Sequence, residues 1–177
     1  MGHWTEADSK LAYWGMALHL GVARTQNPAS QYMNDVRDEG AVYKGKNSSG
    51  DNTNAGLDFH TDSADVVGLL CRRTAQAGVE RLVASTMALA QALGRRRPDV
   101  LAVLQQPFFH HYPGSGNPLQ PPYCACPIIS SDPLHVTMRV NRKNIVAAQN
   151  DFPALPRVTP QQWDALDLLE QLMADPQ

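Results

Sequence analysis

The stretch Leu57-Asp58-Phe59-His60-Thr61-Asp62-Ser63-Ala64-Asp65-Val66-Val67-Gly68-Leu69-Leu70-Cys71 decides how this chain is read. It opens with alternation and continues, over 65–71, as a β-branched, apolar run with the texture of a strand. His60 and Asp62 are two residues apart. On a strand, that spacing sends both side chains to one face. One imidazole nitrogen and one carboxylate oxygen then reach a single metal ion. A second histidine would complete a 2-His-1-carboxylate facial triad, whose three open positions suit non-haem iron(II). Taken alone, His-x-Asp is a weak pattern that also occurs at surfaces and caps.

On the N-terminal side, Glu6 to Leu20 carries Leu11, Trp14 and Leu18 at helical spacing. Residues 25–56 are rich in Asn, Ser, Gly and Asp and read as long loops. On the C-terminal side, Arg81-Leu82-Val83-Ala84-Ser85 reads as a second short strand. Thr86 to Leu93 reads as a helix ending near Gly94, with a restart at Pro98 that runs through Leu104. Arg95-Arg96-Arg97 reads as a solvated helix end, where cations complement the helix dipole. Residues 107–133, dense in Pro, Gly and aromatics, read as an extended loop. Leu134 to Val140 alternates like a half-buried strand, and Arg142 to Gln149 reads as a short helix. The last helix is the clearest. Thr159 suits the N-cap, Pro160 the first turn, and Gln162 completes a capping box. Trp163, Leu166, Leu169, Leu172 and Met173 then form an apolar stripe.

Composition narrows the function classes. With 43% apolar residues the chain of 177 can bury a core, so disorder is excluded. A net charge of -2 gives no basic excess for nucleic acid. No run of 18 apolar residues is present for a membrane span, and no secretory signal is visible, so a cytoplasmic location is expected. Three cysteines are too few for a disulfide scaffold. Cys124-x-Cys126 lacks a second pair at zinc spacing and reads as loop thiols.

The segment from Leu57 to Cys71 closely resembles the iron-binding strand of the TauD/TfdA (taurine dioxygenase-like) family. There, a Phe/Trp-His-Thr-Asp signature carries the first two iron ligands, matched here by Phe59-His60-Thr61-Asp62. Val36-Arg37-Asp38-Glu39-Gly40, Arg96-Arg97-Pro98-Asp99-Val100-Leu101, Gln106-Pro107-Phe108 and Thr159 to Leu169 resemble further family segments in the same order. The resemblance implies a mixed α+β chain: a partial double-stranded β-helix (jelly-roll, clavaminate synthase-like) with flanking helices. It implies iron(II) and 2-oxoglutarate as cofactors, His60 and Asp62 as metal ligands, and hydroxylation of a small organic substrate. A homo-oligomer is possible but not indicated.

The pattern also has departures. In the family a distal His and a 2-oxoglutarate-binding Arg lie well over a hundred residues after His-x-Asp. Only 115 residues follow Asp62 here, so residues 1–177 correspond to an internal portion of the domain without its N-terminal part and without that His and Arg. His110, His111 and His135 are the local alternatives for a third ligand, and Arg72, Arg73, Arg139 and Arg142 for the clamp. At Ala77-Gly78-Val79-Glu80, relatives have Gly-Gly and a hydroxyl, and Glu80 brings negative charge toward an anion. The alternative expectation is therefore a catalytically inactive truncated remnant or binding module of that fold.

Overall fold

Local sequence signals start and stop most of the helices. The computed structural model describes residues 4–26, 30–41, 50–75, 77, 80–112 and 121–175. They fall into two units: Met1–Asn54 with Asp62–Glu80, and Ala55–Thr61 with Arg81–Gln177.

In the first unit, helix α1 spans Glu6–Ala17. It starts at Thr5 because a capping box closes there: Asp8 N–H donates to Thr5 Oγ1 at 3.1 Å, and Thr5 N–H donates to Asp8 Oδ2 at 3.0 Å. Its expected apolar face is not a core face. Leu11 and Leu18 are exposed, and Trp14 is half-buried, with a tilted Tyr32 ring at 5.6 Å. Charge organises this unit instead. Glu6 lies 2.8 Å from Lys10 and 3.0 Å from Arg72, while Asp35 lies 2.8 Å from Lys10 and 2.9 Å from Arg37. These contacts hold the Glu6 carboxyl down at about 2, the Lys10 hydrogen bond first and the Arg72 one next.

The expected strand over 65–71 does not form. Val66, Val67 and Leu69 are exposed, and no ladder is present there. Strand propensity is a fit to a pleated, half-buried surface, and here there is no such surface to fit. The loop reading of 25–56 holds for its described residues, apart from one 3-10 turn at Gly50–Asn52; residues 27–29 and 42–49 lie outside them.

The second unit carries the core. Helix α2 spans Thr86–Arg96, α3 Pro98–Leu104, α4 Arg142–Asp151 and α5 Pro160–Ala174. Strands β1, Pro107–His111, and β2, Tyr123–Pro127, pair antiparallel; so do β3, Ile129–Ser131, and β4, Val136–Met138. Among the described residues these two-stranded ribbons close no barrel. Leu89, Leu93, Leu104, Phe108, Ile128, Val140, Ile145, Leu166 and Leu169 meet in one buried cluster that takes residues from all four helices and from both ribbons. Each such side chain is worth roughly 1.5–3 kcal/mol when fully buried.

Several expectations hold. Thr159 and Gln162 form the capping box of α5, with Gln162 N–H to Thr159 Oγ1 at 3.2 Å and Thr159 N–H to Gln162 Oε1 at 3.0 Å. Leu166, Leu169 and Met173 are buried, as the stripe requires. Helix α2 runs two residues past Gly94 and stops at Arg97, whose backbone (φ -144, ψ 63) leaves the helical region. The physical stop is Pro98, which disfavours helical geometry in the residue before it. Arg95 and Arg96 occupy the last turn, and Arg97 binds Asp99 at 2.7 Å.

Two expectations are corrected. Arg81 to Ser85 forms no strand, and Leu82 and Val83 are exposed. Residues 107–133 are not one loop, since β1, β2 and β3 lie within them. Phe108 and His110 point inward while their neighbours face out, the period of two that a strand demands. Pro107 and Pro127 sit opposite each other at the ribbon's end, where a missing N–H is tolerated. Residues 113–120 lie outside the described residues.

Candidate functional site

The His60 segment is held from both sides. Phe59 packs against the core of the second unit. Thr61 N–H donates to the Val140 carbonyl at 2.8 Å, and the Thr61 hydroxyl accepts from Val140 N–H at 3.0 Å. The same hydroxyl lies 3.3 Å from the Val140 carbonyl. Val140 is buried two residues past β4, so these bonds tie Thr61, as a single rung, to the chain between β4 and α4. Phe59 and Thr61 are half-buried; His60 between them is exposed.

The His60 ring is oriented by its own backbone. Nδ1 lies 2.8 Å from the Asp58 carbonyl oxygen. A carbonyl only accepts, so Nδ1 carries the hydrogen and Nε2 is left with its lone pair outward. Metal-ligating histidines are fixed in this way, the non-ligating N–H donating to a carbonyl or carboxylate. Asp62, also exposed, begins the second segment of the first unit, and the division between units falls after Thr61.

Among the described residues no group of three or more His, Cys, Asp or Glu is placed to hold a metal ion. The local alternatives have other surroundings. His110 is buried on β1, and burial first, then the Arg139 charge, pushes its imidazole down to about 4. His111 stacks on Phe152 with ring centroids 5.9 Å apart. His135 is exposed, 3.5 Å from Asp132. Among the described residues, His60 supplies an oriented imidazole for an iron site, and no set of three donors completes the triad.

Two of the arginines named for a dicarboxylate clamp are occupied. Arg72 binds Glu6. Arg142 binds Asp167 at 2.6 Å and Glu170 at 3.0 Å, and it lies 5.2 Å from the Trp163 ring centroid. Glu80 is exposed; Gly78 and Val79 lie outside the described residues. A cleft of about 350 Å³ between α3 and α5 is rimmed by Arg97, Asp99, Asp164 and Asp167 and contains neither His60 nor Asp62.

One cluster escaped the sequence reading. Cys124 and Cys126 are on β2, opposite His110 and Phe108 of β1. The signal was present in the two interleaved x-by-two patterns, Phe108-x-His110 and Cys124-x-Cys126, which the proline content masked.

Comparison with known proteins agrees with the family resemblance. The family model described as taurine catabolism dioxygenase TauD, TfdA family matches residues 3–177. FR-33289 synthase of Streptomyces rubellomurinus (strain ATCC 31215) is 34% identical over 119 residues, 67% of this chain. That match covers 35% of the relative's own length. The chain belongs to the TauD/TfdA family of iron(II)/2-oxoglutarate-type oxygenases.

Proposed function

We propose that this chain is part of an iron(II)/2-oxoglutarate-dependent dioxygenase that hydroxylates a small organic substrate, with His60 and Asp62 as two of its three iron ligands. The fold in this reading is a partial double-stranded β-helix with flanking helices. The observation that carries it is the His60 ring, fixed by the Asp58 carbonyl with Nε2 outward, in a segment pinned to Val140 by Thr61.

The chain's own contribution is positional. Phe59 and Thr61 anchor the backbone, and Asp58 sets the tautomer of His60. Iron(II) and 2-oxoglutarate, when bound, supply the oxidising chemistry, and the protein's part is to orient and to exclude water. Two donors leave a metal weakly held, because affinity follows ligand number and geometry. In this reading the third donor lies outside the described residues or on a second molecule. The second reading, a non-catalytic binding module, rests on the same two-donor set.

The chain is to be loaded anaerobically with iron(II), given 2-oxoglutarate and oxygen, and assayed for succinate. Residues 1–177 alone are expected to take up iron weakly, through His60 and Asp62, and to release no succinate above a His60→Ala control. Iron uptake unchanged in both His60→Ala and Asp62→Ala refutes the reading. Succinate above the control refutes the two-donor account and identifies a complete site.

A further inference from the structure

Residues 66–71 have the composition of a strand and lack its partner. They carry no turn, bend or ladder, and among the described residues none of their backbone N–H or carbonyl groups joins a backbone hydrogen bond. Their side chains nonetheless alternate. Gly68 lies against helix α1, where an added Cβ would collide with the Tyr13 hydroxyl. Leu70 is half-buried, and Arg72 reaches Glu6 of the same helix at 3.0 Å. Between them, Cys71 is exposed, and Val67 and Leu69 keep 56% and 61% of their surface in solvent. The alternation starts at Val67; Val66, beside the bend at 63–65, is exposed as well. Even-numbered residues from Gly68 to Arg72 thus lie toward α1 and odd-numbered ones away from it, the period of two of a β-strand. A strand with unpaired backbone groups is a template for another strand.

We propose that 66–71 pairs with the same segment of a second copy of this chain, antiparallel about Leu69. Such a contact is two-fold and isologous, so each residue meets the one equally far on the other side of the centre. With Leu69 opposite Leu69, Val67 falls opposite Cys71 and Asp65 opposite Arg73. The order of charges argues for this partner. The segment is acidic at Asp65, basic at Arg72-Arg73, and uncharged between. Turned end for end, a second copy brings Arg73 to Asp65 at both ends of the contact. Opposite charges facing each other across a ladder stabilise it, and like charges, as an in-register parallel pairing would give, oppose it. Asp65 and Arg73 are both exposed, and Arg72 stays with Glu6 on the other face.

The register is fixed by the same residues. Residues directly opposite in an antiparallel ladder project to one face, so Val67, Leu69 and Cys71 of both copies form a continuous apolar row with an ion pair at each end. A slip of two residues in either direction parts Asp65 from Arg73. A slip of one sets the solvent-facing row of one copy against the α1-facing row of the other. In the proposed register the two Cys71 residues lie about 13 Å apart along the ribbon, four residues at about 3.3 Å each. That is beyond the roughly 4.4–6.8 Å between the Cα atoms of a disulfide, whereas position 67 lies directly opposite Cys71 and within it.

The test is sedimentation equilibrium of the reduced full chain over a concentration series. A monomer–dimer equilibrium is expected. Asp65→Arg and Arg73→Asp each set like charges across the ribbon and should weaken the dimer about tenfold, and the Asp65→Arg/Arg73→Asp double variant should recover it. Both positions are exposed, so the monomer fold is expected to tolerate these changes. Oxidation reads the register separately. Val67→Cys should give a disulfide-linked dimer whose peptides join position 67 of one copy to Cys71 of the other, and the wild-type chain should form no Cys71–Cys71 link. A monomer at every concentration would mean that a strand of different chemistry covers 66–71, and would overturn the proposal. So would a dimer indifferent to both charge reversals, a double variant that stays weakened, or a Cys71–Cys71 link in the wild-type chain.

Discussion

Thr61→Val replaces a hydroxyl with a methyl of nearly the same shape and removes one acceptor. In the native chain that hydroxyl accepts from Val140 N–H at 3.0 Å, and Val140 is 1% exposed. The Thr61 N–H to Val140 carbonyl bond, at 2.8 Å, survives the change. The variant thus strands one buried backbone donor beside an apolar methyl. Leaving such a donor unsatisfied costs about 1–3 kcal/mol. In a domain of roughly 100 residues each kcal/mol lowers the melting temperature by about 4–8 °C. Thr61→Ser keeps the oxygen and loses only a methyl, so it should cost about 1 kcal/mol or less. Calorimetric melts of the three proteins measure the difference, and amide exchange at Val140 locates it. Wild-type stability in Thr61→Val to within about 0.5 kcal/mol, or equal losses in Thr61→Val and Thr61→Ser, would refute the rung.

Other substitutions probe the remaining supports. Leu166→Ala opens a cavity in the α5 face of the core and should cost about 2–5 kcal/mol by denaturant melts, since Leu166 is fully buried. Thr159→Ala removes the acceptor for Gln162 N–H and should cost about 1 kcal/mol, whereas Thr159→Ser should be near neutral. The His110 imidazole is held down at about 4 from an ordinary 6.5, so the folded state favours its neutral form. That contribution is complete above pH 6.5 and is lost as pH falls toward 4, because the unfolded chain binds the proton first. Melts across this window should show a shallower acid limb in His110→Gln than in wild type. An unchanged limb would mean another group sets it.

The helices were legible because their causes are local. Thr5, Ser85, Asn141 and Thr159 each accept a backbone N–H of the first turn, and each is visible as a small polar residue before a helical pattern. Strands were less legible because pairing is a tertiary event. Val66, Val67 and Leu69 have the composition of a strand and lack a ladder, while Phe108 and His110 lie in a proline-rich stretch and have one. His60 was singled out by its spacing from Asp62 and by its neighbours. Its tautomer was not, since that depends on the turn that brings the Asp58 carbonyl to Nδ1. The Cys124–His110 rung was hidden for a similar reason: 13 residues separate Cys124 from His110, and only the register of the ribbon joins them.

The most direct test of the central claim is a long-range proton–nitrogen NMR spectrum of the histidine side chains, with and without zinc(II) as a diamagnetic stand-in for iron(II). The account predicts His60 in the Nδ1–H form before metal is added, a metal-dependent shift at its Nε2, and weakening of that response in Asp62→Asn. An Nε2–H tautomer for His60, or a zinc response at His135 with His60 unmoved, would contradict it.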